Sequence, residues 1–271
     1  MQSIAKRAGD LLEVLRTQHP LVQNITNFVS MDMAANVLLA MGAAPAMVHA
    51  PQESADFTAH ADALVVNIGT LSNEFVAGGE AAATASHMLG HPWVLDPVGV
   101  GATPFRNEAV QRLLRHRPNV IRGNASEIMG VAKVAGLNTP DARPRGVDSA
   151  HSTDEALATA QHLARNHFCT VVATGATDLI TDGERIVRLA NGHVLMTRVT
   201  AVGCALSAVV AAFCAIADDA FEASVSALAV YGVAGEMAAE RAQSPGSYRV
   251  AFLDQLDQIT PNDVIQRLKV V

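Results

Sequence analysis

Short, nearly unbroken apolar runs alternate along this chain with longer stretches of helical spacing, and no other feature constrains the fold as tightly. The apolar runs are "APAMVHA" (44–50), "ALVVNIG" (63–69), "PWVLDPV" (92–98), "NVIRGN" (119–124) and "CTVVATG" (169–175). Each reads as a buried strand. Between them lie helical patterns such as "MDMAANVLLAMG", "EFVAGGEAAATASHMLG" and "STDEALATAQHLARNH". Strands apolar on both faces, alternating with helices, predict an α/β fold: a mostly parallel central sheet with helices on both faces. Next, "LITDGERIVRLANGHVLMTRV" reads as hairpin strands turning at Asp182-Gly183 and Asn191-Gly192. Beyond Thr200 the pattern is almost wholly helical. "GLNTPDARPRGVDSAHST" is expected to form a mobile surface loop.

No linker divides the 271 residues, so one domain over 1–271 is expected. Half of the residues are hydrophobic and 17% are charged, which predicts a sizeable core. A net charge of −7 without a Lys/Arg cluster argues against a nucleic-acid surface. Cys169, Cys204 and Cys214 are scattered through apolar segments without metal-ligand spacing, which suits free thiols in a reducing cytoplasm. The amphipathic start "MQSIAKRAGDLLEVLRTQHP" carries acids and reads as neither signal nor transit peptide. The longest apolar run, Ala205 to Ala217, is too short to span a bilayer. A soluble cytoplasmic protein without a membrane partner is expected.

Ligands of parallel sheets bind at the carboxyl ends of the strands, so the polar strand ends "NIGT", "DPVG" and "RGN" should converge on one crevice. In "VTAVGCALSAVV", small residues at Ala201 and Gly203 let backbone amides approach an anion, with a helix dipole behind them. Cys204 then stands at the reacting centre with its pKa lowered by the helix end, or is a small core hydrophobe. In "VIRGNASEIMG", Asn124 and Glu127 form a capping box, or Glu127 also faces Mg²⁺ through water while Arg122 meets phosphate. Asp96 in "VLDPVGVGATPFR" is either a turn former or a metal-associated carboxylate. Thr174-Gly175 either contacts a phosphate or makes a turn. Asn27 in "PLVQNITNFV" reads as a helix cap and Met47 as core.

Together, "PLVQNITNFV", "GAAPAMVHAPQE", "NIGTL", "LDPVGVGATPFR", "IRGNASEIMG", "VVATG", "GCALSAVVAAF" and "SPGSYRVAFLDQL" resemble the hydroxyethylthiazole kinases, a family of the ribokinase-like superfamily, nearly end to end. The resemblance implies ATP-dependent phosphorylation of 4-methyl-5-(2-hydroxyethyl)thiazole on its primary alcohol, with Mg²⁺, in thiamine salvage. It implies a homotrimer that binds the thiazole between subunits. By position, Met47, Asn27, Gly69, Thr70 and Ala201 are implied at the thiazole. Arg122, Thr174, Asn124 and Gly203 are implied at ATP, and Asp96 and Glu127 near Mg²⁺. Cys204 occupies the place of the catalytic aspartate of related sugar kinases. Ala201 departs from the commoner pattern, which has glycine there.

Overall fold

The computed structural model describes residues 2–137 and 153–271. The surface loop expected over 136–153 therefore lies, from 138 to 152, outside the described residues. The first half runs α1 (Gln2–Gln18), β1 (Leu21–Ile25), α2 (Met31–Met41), β2 (Ala44–Ala46), α3 (Ser54–Thr58), β3 (Ala63–Asn67), α4 (Asn73–Leu89), β4 (Trp93–Asp96), α5 (Pro104–Leu114), β5 (Val120–Asn124) and α6 (Ala125–Val134). It continues with α7 (Thr153–His167), β6 (Thr170–Thr174), β7 (Asp178–Thr181), β8 (Ile186–Leu189), a 3₁₀ turn (Val194–Arg198), α8 (Val202–Ile216), α9 (Ala220–Arg241), α10 (Pro245–Gln258) and α11 (Pro261–Arg267).

All eight strands join one sheet in the order β2-β1-β3-β4-β5-β6-β7-β8. The first six pair in parallel, and β7 and β8 close the edge antiparallel. The α/β architecture predicted from the alternation is the one observed.

Because side chains alternate across a strand, the sheet feeds two cores. Val65, Val94, Val120 and Val172 face α1, α2, α8, α9 and α10. Leu64, Trp93, Leu95, Ile121 and Val171 face α4, α5, α6 and α7.

Three expectations are corrected. The strand foreseen over 44–50 is only Ala44–Ala46, which leaves Met47 just beyond its carboxyl end, half-buried. Strand β1 was not foreseen, because its Gln23 and Asn24 are polar, yet both are fully buried. Gln23 fits there because Nε2 donates to Val48 O (3.1 Å) and Ser54 O (3.0 Å) while Oε1 accepts from Thr58 Oγ1 (2.7 Å). The Asp182-Gly183 turn joins β7 to β8, but Asn191-Gly192 starts no second hairpin. Asn191 instead clamps the C-terminal segment, donating to Arg267 O (2.9 Å) and accepting from Lys269 N (2.7 Å).

Candidate active site

Strand parity builds the site. Two residues beyond Val65, Val94, Val120 and Val172 stand Asn67, Asp96, Arg122 and Thr174, so all four share the face that α8 covers, at the carboxyl ends of β3, β4, β5 and β6. Register sets Asn67 beside Asp96. The apolar sheet face ends here in a polar row.

Asp96 is buried, and its Oδ2 accepts from Asn67 Nδ2 (2.8 Å) and Ser207 Oγ (2.7 Å), with Arg122 Nη1 at 3.7 Å. Its Oδ1 is buried without a partner among the described residues. Burial pushes this carboxyl up to about 7, and the Arg122 charge pulls the other way without prevailing. Arg122 reaches under the α8 turn: Nη1 donates to Gly203 O (2.9 Å) and Nη2 to Thr174 Oγ1 (2.7 Å). A Cβ on Gly203 would lie 3.3 Å from both terminal nitrogens of that guanidinium, so glycine makes the close approach possible.

Helix α8 begins at Ala201, whose φ of 68° is left-handed. The first bond of its ladder is Ala205 N to Ala201 O (2.8 Å), so the amides of Val202, Gly203 and Cys204 have no intrahelical acceptor. Three donors and the positive end of a 15-residue helix thus lie beside the polar row.

Cys204 is half-buried, and its Sγ accepts from Asn27 Nδ2 (3.5 Å). The lowered thiol pKa expected from the helix end is not found. Burial and the nearby Asp96 charge push it up to about 11, outweighing the donors from Asn67 and Asn27 and the Arg122 charge. The group is a neutral thiol at neutral pH.

Asn124 and Glu127 do form the capping box: Asn124 Oδ1 accepts from Glu127 N, and Glu127 Oε2 accepts from Asn124 N, both at 2.9 Å. Glu127 Oε1 also accepts from Gly99 N (3.0 Å), tying α6 to the loop after β4. Asn27 is no simple cap. Its Oδ1 accepts from Val29 N and Ser30 N, while Nδ2 donates to Asn67 Oδ1 (2.8 Å) as well as to the thiol. Gly69 N donates to Asn67 Oδ1 (2.9 Å), and a Cβ on Gly69 would lie 2.6 Å from Asn27 Nδ2. Thr70 Oγ1 accepts from Phe28 N (3.0 Å).

Asn67, Ser207 and Arg106 were missed at the sequence level. Arg106, in the first turn of α5, donates to Ile68 O (2.5 Å), Val98 O (2.8 Å) and Gly69 O (2.8 Å), so one guanidinium joins the loops after β3 and β4. Strand parity counted from the valines would have flagged Asn67. Nothing local marks Ser207 or Arg106.

A solved hydroxyethylthiazole kinase structure from Pyrococcus horikoshii superposes with a TM-score of 0.89 at 38% identity, over 97% of this chain and 98% of that one. A pyridoxal kinase from Staphylococcus aureus shares the fold at a TM-score of 0.57 and 16% identity, over 80% of this chain and 88% of its own. Fold and site thus define a ribokinase-like small-molecule kinase. Residues 12–262 match the model of the hydroxyethylthiazole kinase family. Hydroxyethylthiazole kinases of Cereibacter sphaeroides and Rhizobium johnstonii are 52% and 48% identical to the chain, over 95% and 97% of it and 96% of each relative. The chain belongs to the hydroxyethylthiazole kinase family and is an enzyme, a phosphotransferase with an alcohol group as acceptor.

Proposed function

We propose that the enzyme transfers the γ-phosphoryl group of ATP to the primary alcohol of 4-methyl-5-(2-hydroxyethyl)thiazole, as a thiamine-salvage step in the cytoplasm, with residues 1–271 acting as one kinase domain. The observation that carries this reading is the meeting of three α8 amides that lack an intrahelical acceptor with Asp96, Arg122 and Thr174 at adjacent strand ends. Phosphoryl transfer needs positioned donors and charge neutralisation more than covalent help, and this cluster offers both.

The amides of Val202, Gly203 and Cys204 hold the transferring phosphoryl oxygens. Arg122 and Thr174 contact the nucleotide, with Gly203 beside them and with Asn124 offering Nδ2 while its Oδ1 caps α6. Met47, Asn27, Gly69, Thr70 and Ala201 line the thiazole. The donor set suits Mg²⁺: no trio of acids, cysteines or histidines could cage a metal among the described residues, whereas Mg²⁺ beside nucleotide phosphates takes one or two carboxylates and water. Asp96 through its unpartnered Oδ1, and Glu127 through water, would hold it. When bound, the ion neutralises charge on the phosphates.

Cys204 orients the hydroxyl rather than taking its proton, since a thiol pushed up to about 11 is a poor base at neutral pH. Cys204→Ala is expected to lower kcat about tenfold while leaving the melting temperature nearly unchanged; wild-type turnover would remove Cys204 from the mechanism. The activity itself is tested by following ATP consumption with hydroxyethylthiazole, with pyrimidine and sugar alcohols, and with chelator added. Consumption is expected with the thiazole alone and only with Mg²⁺ present. Equal rates with a sugar alcohol would overturn the substrate assignment.

A further inference from the structure

Asn67 lies between the groups assigned to the thiazole and those assigned to the phosphates. It is fully buried at the carboxyl end of β3. Gly69 N can only donate, so the Asn67 atom it meets at 2.9 Å must be the amide oxygen. That fixes the orientation of the whole amide. Oδ1 faces Gly69 N and Asn27 Nδ2, and Nδ2 faces Asp96 Oδ2 at 2.8 Å. One side chain thus holds Asn27 and Gly69 on one side and Asp96 on the other. Asn27 in turn reaches the Cys204 thiol.

The consequence for Asp96 is specific. Asn67 from the neighbouring strand and Ser207 from the covering helix both donate to Oδ2, and they leave Oδ1 as the oxygen without a partner among the described residues. Without those two donors the carboxylate could rotate about its Cβ–Cγ bond, because terminal torsions of this type are soft. A third tether, Arg122 Nη1 at 3.7 Å, is too long to fix it alone.

Resting on the kinase reading above, we propose that Asn67 is a two-armed positioning residue. Its amide nitrogen, with Ser207, aims Asp96 for phosphoryl transfer, while its amide oxygen shapes the thiazole side through Asn27 and Gly69. The two arms separate experimentally. Asn67→Asp keeps an oxygen for Gly69 and Asn27 but replaces the amide donor by a carboxyl, which meets Asp96 only in repulsion or through one shared proton. Ser207→Ala removes the other Asp96 donor and adds no charge. Asn67→Ala removes both arms.

Steady-state kinetics with ATP and the thiazole alcohol read the split. Asn67→Asp and Ser207→Ala are expected to lower kcat at least tenfold, with KM for the thiazole within twofold of wild type. Asn67→Ala is expected to lower kcat and to raise that KM at least fivefold. A protein that merely needed Asn67 to fold would show lowered melting temperatures with no such division. If Asn67→Ala does not fold, the two conservative variants carry the test. Failure of the wild type to consume ATP with the thiazole would sink the kinase reading, and it would be seen before any variant is made. A crystal structure of Ser207→Ala, which places no new charge beside Asp96, reads the positioning without turnover: Asp96 Oδ2 turned away from its wild-type place beside Asn67 Nδ2 supports the proposal. Asp96 unmoved in Ser207→Ala, or kcat within twofold of wild type in both Ser207→Ala and Asn67→Asp, overturns it.

Discussion

At the scale of single residues, Asp96 and Ala201 stand in positions that cost stability. A carboxyl whose pKa rises on folding stabilises the chain fully below its unfolded value near 3.8, and that contribution is lost as pH climbs through about 7. Ionised Asp96 therefore strains the fold above neutrality by roughly a few kcal/mol. In chelator, Asp96→Asn is expected to melt higher than wild type at pH 8, with the gap closing toward pH 5, and thermal melts across pH check it; with Mg²⁺ present its kcat is expected to fall by about two orders of magnitude. Ala201 holds a left-handed φ of 68°, which costs a residue with a Cβ roughly 1–2 kcal/mol. Glycine relieves that cost but frees the unfolded chain by about 0.4–1 kcal/mol. Ala201→Gly should therefore gain about 1 kcal/mol or slightly less, read as a melting temperature raised by a few degrees.

At the scale of elements, the returns from helix to strand repeat one device. After α2 and α4 the left-handed turn residue is Gly42 or Gly90, but after α1, α5 and α7 it is His19, Arg117 or Phe168, with φ near 50°. Phe168 is also 92% exposed, so its ring gains nothing from burial. Phe168→Gly is expected to leave activity unchanged and to raise stability by about 0.5 kcal/mol, measured by urea unfolding. The same elements explain what could be read beforehand. Strands β3 to β6 were legible because burial on both faces leaves an apolar run. Strand β1 was not, because the partners that make Gln23 tolerable lie 25 to 35 residues away. The site divides likewise. Arg122, Thr174 and Asp96 announced themselves as polar endings of apolar runs, whereas Ser207 meets Asp96 from 111 residues away. Cys204 was placed beside the polar row, but its ionisation was misjudged, because burial is a property of the assembled core and not of the helix end.

At the scale of the whole molecule, Phe28 and Val29 are 67% and 57% exposed on the turn between β1 and α2. Phe28 adjoins Thr70 and packs edge-on against Phe75 with centroids 5.9 Å apart. Apolar side chains left open at the rim of a crevice suit coverage by another subunit, as the homotrimer implied by the sequence resemblance would require. Light scattering is expected to give about three times the 28.4 kDa chain mass. Phe28→Asp is expected to dissociate the assembly and to raise KM for the thiazole about tenfold. A monomeric wild type with full activity would refute a site shared between chains.

The reach of Arg106 across two loops has a mechanical consequence. The segments after β3 and β4 cannot part without the Arg106 guanidinium giving up either its bond to Val98 O or its pair of bonds to Ile68 O and Gly69 O. They behave as a single fixed jaw, and their amides should exchange with deuterium far more slowly than those of ordinary exposed turns. Ligands are then expected to enter and leave by movement of the opposite side of the cleft.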